Sequence, residues 1–281
     1  MKPGRFFALL CLSAPFGCTG AQKDSDAPGS GLHESGEDTG IVTQAQLEEV
    51  HYFHDKAWKL SVLEGQILVT TQHGEEIWAW DPAVDELSEF GRDLGDAQGV
   101  LGWMDRVWVT HSVSGVEGSI SVLTPPNTLS LAATATSEGE LMRRPMEMCV
   151  FSEELWIADA GGDRVWKYDG NEAHVRAFAT PHPPLTIAAG DSSVFVGTDW
   201  GVFESSGGAW DLVDERTASG LVAYEGEILG ASARDGLFVV GKAGRTPLEG
   251  PARPGALAVL DEALYLVDEV GGSLWTLSLT P

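Results

Sequence analysis

One short pattern occurs six times between residues 59 and 279, and it decides what this chain can fold into. Each copy is a run of small and β-branched apolar residues that ends on a polar or small one: ILVTT at 67–71, VWVTH at 107–111, LWIAD at 155–159, VFVGT at 194–198, ILGAS at 228–232 and LYLVD at 264–268. Their first residues, Ile67, Val107, Leu155, Val194, Ile228 and Leu264, recur every 34 to 48 residues. A repeat of that length belongs to propellers and solenoids. Helical periodicity is absent over any long stretch after the N-terminus, which removes the α-solenoids.

Within each copy the residues read as four short strands. The first is apolar, as in LSVL at 60–63, GVLGW at 99–103, MCVF at 148–151, LTIAA at 185–189, GLVAY at 220–224 and ALAVL at 256–260. The repeated segment is the second. The third carries an aromatic in five copies, Trp78, Trp166, Phe203, Phe238 and Trp275, with Ser121 at the equivalent place in the second copy. HGEE, AGGD and VGGS connect second to third strands and supply the glycines that tight hairpins need. Apolar residues fall on both alternating faces, Leu155 and Ile157 against Trp156 and Ala158. A strand buried on both faces suits a blade packed between two other blades. The expectation is an all-β, six-bladed β-propeller of four-stranded blades. The last copy stops at Pro281 without an outer strand, and LEEVHYF at 47–53 is free to supply it. An N-terminal strand would then close the ring and remove its open edge.

LWIADAGGDRVWKYD at 155–169, and with it LYLVDEVGGSLWTL at 264–277, resembles the NHL-type unit of six-bladed propellers: an apolar pair, a small residue and Asp, then a Gly-containing turn and an aromatic strand. The other copies carry Thr71, His111, Thr198 and Ser232 where that unit has Asp. The resemblance implies fold and says little of function. Lactonases built on six-bladed propellers are similar in architecture and bind a divalent ion through Glu, Asp and Asn; the two Asn of this chain, Asn127 and Asn171, lie outside the first strands.

The N-terminus is of a different kind. Lys2 and Arg5 precede the apolar stretch Phe6 to Gly17, too short for a membrane-spanning helix and of the right form for a secretion signal. Gly17-Cys18 resembles the cleavage box of bacterial lipoproteins, so Cys18 is the expected lipidation site, although Pro15 and Phe16 depart from that box; cleavage after Ala21 is the alternative. Residues 18–43 are rich in Gly, Ser, Asp and Glu and read as a flexible acidic tether. The expected organisation is a lipoprotein-type signal at 1–17, the tether at 18–43 and the propeller at 44–281. Location follows: secreted across the inner membrane, as an outer-membrane or periplasmic lipoprotein, touching membrane through the anchor alone.

A formal charge of −25 repels nucleic acid, which excludes it as a partner. The chain's three cysteines, at 11, 18 and 149, build no disulfide framework, and Cys149 within MCVF reads as a core residue. HExxH, CxxC, EF-hand and GxSxG signatures are lacking. What remains is geometric. Thr71, His111, Asp159, Thr198, Ser232 and Asp268 end the second strands and would ring one mouth of the channel, where a polar ligand or a divalent cation could bind. Equally, such residues cap turn amides. Arg143 and Arg144 enter the third blade at the same mouth and could hold a carboxylate or phosphate. The functional expectation is a cell-envelope binding module for a protein, peptide or glycan without a cofactor; the alternative is a propeller enzyme, a hydrolase or lyase, acting at the mouth around His111, Asp159 and Asp268.

Overall fold

The computed structural model describes residues 47–113, 117–171, 175–206, 208–241, 251 and 253–278, all within the unit Gly40–Pro281. The signal, Cys18 and the tether lie outside the described residues. The chain is all-β, a six-bladed propeller of antiparallel blades. Strand β1 (Leu47–Tyr52) comes first. Blade 1 is β2 (Ala57–Leu63), β3 (Gln66–Thr71), β4 (Ile77–Asp81) and β5 (Glu86–Gly91). Blade 2 is β6 (Ala97–Trp103), β7 (Arg106–Val113), β8 (Glu117–Thr124) and β9 (Thr128–Ala133). Blade 3 is β10 (Pro145–Phe151), β11 (Glu154–Asp159), β12 (Arg164–Tyr168) and β13 (Arg176–Ala179). Blade 4 is β14 (Thr186–Ala189), β15 (Val194–Thr198), β16 (Gly201–Ser206) and β17 (Ala209–Asp214). Blade 5 shows β18 (Gly220–Tyr224), β19 (Glu227–Ser232) and β20 (Gly236–Val239), three strands among the described residues. Blade 6 is β21 (Pro254–Leu260), β22 (Ala263–Asp268) and β23 (Ser273–Ser278), and β1 completes it.

The ring closes as the sequence predicts. β1 pairs antiparallel with β23, Leu47 opposite Leu277 and Tyr52 opposite Ser273. Phe53, just beyond, is buried and donates its N–H to the Gly272 carbonyl at 3.0 Å.

Burial explains why both strand faces are apolar. The core is six clusters, one at each seam between neighbouring blades: Ile120 and Trp108 of blade 2 meet Ile157 and Trp166 of blade 3, and Val69 of blade 1 meets Val267 of blade 6. Clusters of the same kind fill the other four seams. A strand between two seams presents one face to each, so alternation of apolar with polar survives chiefly on outer strands such as β5. The third-strand aromatics are not equivalent in burial. Trp166 is fully buried, Phe203 and Phe238 nearly so, while Trp78 and Trp275 are half-buried at their seams. Ser121 fills the same place in blade 2 and is also buried.

Inner strands approach one another closely around the channel. A Cβ on Gly220 would lie 2.1 Å from the Gly255 carbonyl oxygen, and one on Gly99 would lie 2.6 Å from that of Met146. Only glycine permits these approaches.

Removing residues 1–54 should therefore open the blade-6 edge and take Phe53 from its seam. We expect a melting temperature lower by on the order of 10 °C than that of a chain starting at Thr43. Self-association on size-exclusion chromatography should accompany it, since an unpaired edge recruits another strand.

Candidate functional site

Antiparallel blades place the starts of all six inner strands and the ends of all six second strands on one face of the ring, here called the mouth. The turns that join inner to second strands lie on the opposite face, here called the hairpin face. The eight residues predicted from the sequence to line the mouth all lie there, whereas Cys18 lies outside the described residues.

Asp159 is fully buried and saturated. Its carboxylate accepts N–H bonds from Arg144 at 2.6 Å, from Arg143 at 3.2 Å and from the Trp166 indole at 2.9 Å. It fixes the loop that leads into β10. Thr198 accepts the N–H groups of Trp200 and Gly201 and donates to the Gly201 carbonyl, which closes the β15–β16 turn. Ser232 accepts the N–H of Asp235 and bonds the Thr217 hydroxyl. Asp268 accepts from Val270 and Gly271 in the β22–β23 turn. Thr71 is buried at the end of β3, and its backbone N–H and C=O hold the turn at 72–76. These are turn-capping roles.

His111 differs. It is 6% exposed, its Nδ1 lies 3.3 Å from the Gly95 carbonyl, and its Nε2 is buried without a partner. Burial holds the imidazole below the ordinary histidine value, against the opposing pull of the Gly95 carbonyl and the Asp96 charge.

Arg143 and Arg144 are exposed, held through their backbone rather than their guanidinium groups. A stacked pair stands across the mouth at blade 4: His182, ahead of β14, lies 4.9 Å and 12° from Trp200, which is 67% exposed. Among the described residues no three His, Cys, Asp or Glu side chains come together as a metal-binding group. The donor set a divalent cation needs is thus not assembled around His111, Asp159 and Asp268.

The polar hub of the molecule lies elsewhere, on the inner strands. Lys59 of β2 extends its ammonium across the channel and donates to Glu147 Oε2 at 3.2 Å, to the Leu185 carbonyl at 3.1 Å and to the Ser219 carbonyl at 3.0 Å. Blade 1 is thereby tied to blades 3, 4 and 5. Both charged side chains are buried, 5% and 9% exposed. Desolvation pushes the Glu147 carboxyl up, and the Lys59 charge, the Thr186 hydroxyl and the Ile187 N–H pull it back. Threonines extend the network sideways: Thr70 Oγ1 donates to the Gln98 carbonyl at 2.8 Å, and Thr186 Oγ1 accepts the Leu221 N–H at 3.0 Å.

On the hairpin side of this hub lies a cavity of about 350 Å³ to which all six inner strands contribute. Its walls are mostly aliphatic, Leu60, Leu101, Met148, Ile187 and Leu257 among them, with Ser61, Glu147 and Cys149 as the polar members. Cys149 is a free, partly buried thiol that borders this space and, as the sequence predicts, packs against the core cluster at the seam of blades 3 and 4. Burial first, and the Glu147 charge second, push its pKa up, which disfavours the thiolate. Lys59, Ser61 and Glu147 are the residues that reading the sequence missed. Their signal was present: a lysine in WKLSVL and a glutamate in PMEMCVF are charges inside otherwise apolar inner strands.

Two outcomes check this assignment. Asp159→Ala strips the acceptor from three N–H groups and should cost about 3 kcal/mol or more in urea unfolding, since each orphaned buried donor carries its own penalty. For His111, whose folded pKa is depressed, the unfolded chain binds more protons, so stability present above the ordinary histidine value is lost as pH falls through the folded one. The melting temperature should drop between about pH 7.5 and about pH 5.5, and His111→Phe should flatten that drop.

No family model and no curated protein matches the chain. Solved structures match it in fold. A gluconolactonase from Xanthomonas campestris superposes with a TM-score of 0.69 at 13% identity, covering 85% of this chain and 91% of the other. A PQQ-bound aldose sugar dehydrogenase from Streptomyces coelicolor gives 0.62 at 14% identity over 85% and 100%. A streptogramin B lyase gives 0.60 at 11% identity over 84% and 98%. At these identities the likeness establishes the six-bladed β-propeller fold and nothing finer.

Proposed function

We propose that the chain is an enzyme acting on a small organic molecule within its central channel, by proton transfer of the hydrolase or lyase kind. The observation that carries this reading is Glu147: a buried carboxyl, pushed toward its protonated form by desolvation, bordering a mostly aliphatic cavity to which all six blades contribute. At about 350 Å³ the cavity suits a small molecule rather than a polymer. Glu147 would donate a proton to a leaving oxygen, or accept one, and the Lys59 ammonium would steady the charge that remains. That solved neighbours include a gluconolactonase, a lyase and a sugar dehydrogenase supports catalysis over mere capture. The repeat LWIADAGGDRVWKYD favours an NHL-like unit within the six-bladed class, and the N-terminus favours an envelope location with Cys18 as anchor.

A second reading, the envelope binding module for a protein, peptide or glycan, is favoured by the exposed Trp200–His182 stack at the mouth. Turnover separates the two. Incubating the full chain with a panel of small lactones, esters and lyase substrates, followed by proton NMR, should reveal conversion that Glu147→Gln lowers about 100-fold or more. Because that change strands a buried ammonium, Lys59→Met with Glu147→Met serves as the folding control; replacing a buried pair by apolar residues preserves stability in other proteins. Parent-like turnover in the double variant would end the Glu147 reading. Loss of glycan or peptide binding in Trp200→Ala, with no turnover in the parent, would establish the second reading.

A further inference from the structure

The wall of the channel cavity is built in tiers, because each inner strand contributes residues at the same register positions. Nearest the mouth stand Leu60, Met148, Ile187, Leu221 and Leu257, each opposite the third residue of its repeated segment. The next tier holds Ser61 and Cys149 among leucine, valine and alanine, and the last, toward the hairpin face, is valine, alanine or glycine in all six blades. Exposure grows in that direction: on β18, Leu221 is buried, Val222 half-buried and Ala223 exposed. The cavity therefore opens at the hairpin face. Glu147 lies one residue nearer the mouth than the first tier, opposite Ala158, and the Lys59 hub occupies that end.

Polarity falls off sharply along this axis. Beyond Glu147 no lining side chain is charged, amide-bearing or aromatic. The Ser61 hydroxyl is shielded from the space, and the Cys149 thiol is a weak donor. The remaining polar atoms of the wall are backbone, since each inner strand is the end strand of its blade and its free edge pairs with no other strand. A molecule placed here meets one strong hydrogen-bonding side chain at the mouth end and hydrocarbon side chains along the rest. An aliphatic body gains by burial against such a wall. A sugar brings a hydroxyl on almost every carbon, and each one stripped of water without a new partner carries its own penalty.

We propose that the channel takes a small aliphatic molecule with one oxygen function, the oxygen set at Glu147 and the hydrocarbon body extending toward the hairpin face, and that it turns away sugars and other polyols. This rests on the reading of the channel as the working site and adds the substrate class. Three strand residues separate Glu147 from Val150 of the outermost tier, about 10 Å at about 3.3 Å per residue, which fits a body of about six carbons. The volume of about 350 Å³ is near the lower end for ligand sites, which sets the same limit on size.

The probes are cyclohexanol and myo-inositol, the same carbon ring with a single hydroxyl and with a hydroxyl on every carbon, titrated calorimetrically into the full chain. Cyclohexanol should bind at least about tenfold more tightly, with the negative heat-capacity change of apolar burial. Leu101→Trp narrows the middle tier, and Ala223→Trp narrows the opening from an exposed position that leaves the fold intact. Each should weaken cyclohexanol by at least about tenfold, since the indole takes the space the ring needs. If myo-inositol comes within about tenfold of cyclohexanol and both variants block it, the channel stands and the aliphatic class falls. If cyclohexanol keeps its affinity in both variants, the channel is not the site. Failure of both probes to bind at about 50 mM overturns the proposal and leaves the channel to be judged by turnover alone. A clear preference for cyclohexanol in a chain that converts no substrate of the panel would end the enzyme reading and leave the ligand class in place.

Discussion

An ammonium group reaches across the middle of this ring, and the inner strands are arranged to receive it. Lys59 uses three donors on three acceptors from blades 3, 4 and 5. Neighbouring blades already share apolar seams, but seams act only between adjacent units. The lysine joins units that do not touch, so it sets the width of the channel as well as closing it. Its partner carboxylate is bonded by the Thr186 hydroxyl and the Ile187 N–H, so no charge in the hub is left to the low-dielectric interior without company. Had either member been lost, the remaining charge would be stranded, which makes the pair a constraint on the inner strands together.

The architecture was legible because a propeller writes its packing into each repeat. A strand flanked by two seams must be apolar on both faces, and that requirement recurs at every copy from ILVTT to LYLVD. The closing strand was legible for a complementary reason: the last copy lacked an outer strand and LEEVHYF had no blade of its own. Burial of individual aromatics was less so. Trp166 and Trp275 occupy equivalent positions, yet only the first is wholly enclosed, its indole N–H bonded to Asp159. A column in the repeat specifies direction, and the neighbouring blade then decides depth.

The mouth column shows where such reasoning stops. Equivalent positions do converge on one face, but Asp159, Thr198, Ser232 and Asp268 spend their oxygens on nearby amides. Thr198, Ser232 and Asp268 end a strand before a tight turn and meet the orphan N–H groups of that turn first, Asp159 meets those of the loop that leads into β10, and a distant ligand has to compete with them. Lys59 and Glu147 escaped notice because they sit within strands, 88 positions apart, where nothing local announces a pairing. A charge inside an apolar inner strand is nonetheless costly on its own, so each should be read as half of something.

Charge is distributed unevenly between the two faces, and this bears on which of them a ligand meets. Loops at the mouth mix signs: Lys56, Arg143, Arg144, Arg216 and Arg253 stand among acids such as Asp199 and Glu269. Arg216 is spent internally, on Asp214 at 2.6 Å and over the Phe238 ring at 4.3 Å. The inner turns of the opposite face are acidic in all six blades. Part of the net charge of −25 therefore sits on the turns of that face. The Lys59 hub lies toward the mouth and the aliphatic cavity toward the hairpin face, so a ligand entering the cavity from that face passes acidic turns rather than the mixed charges of the mouth.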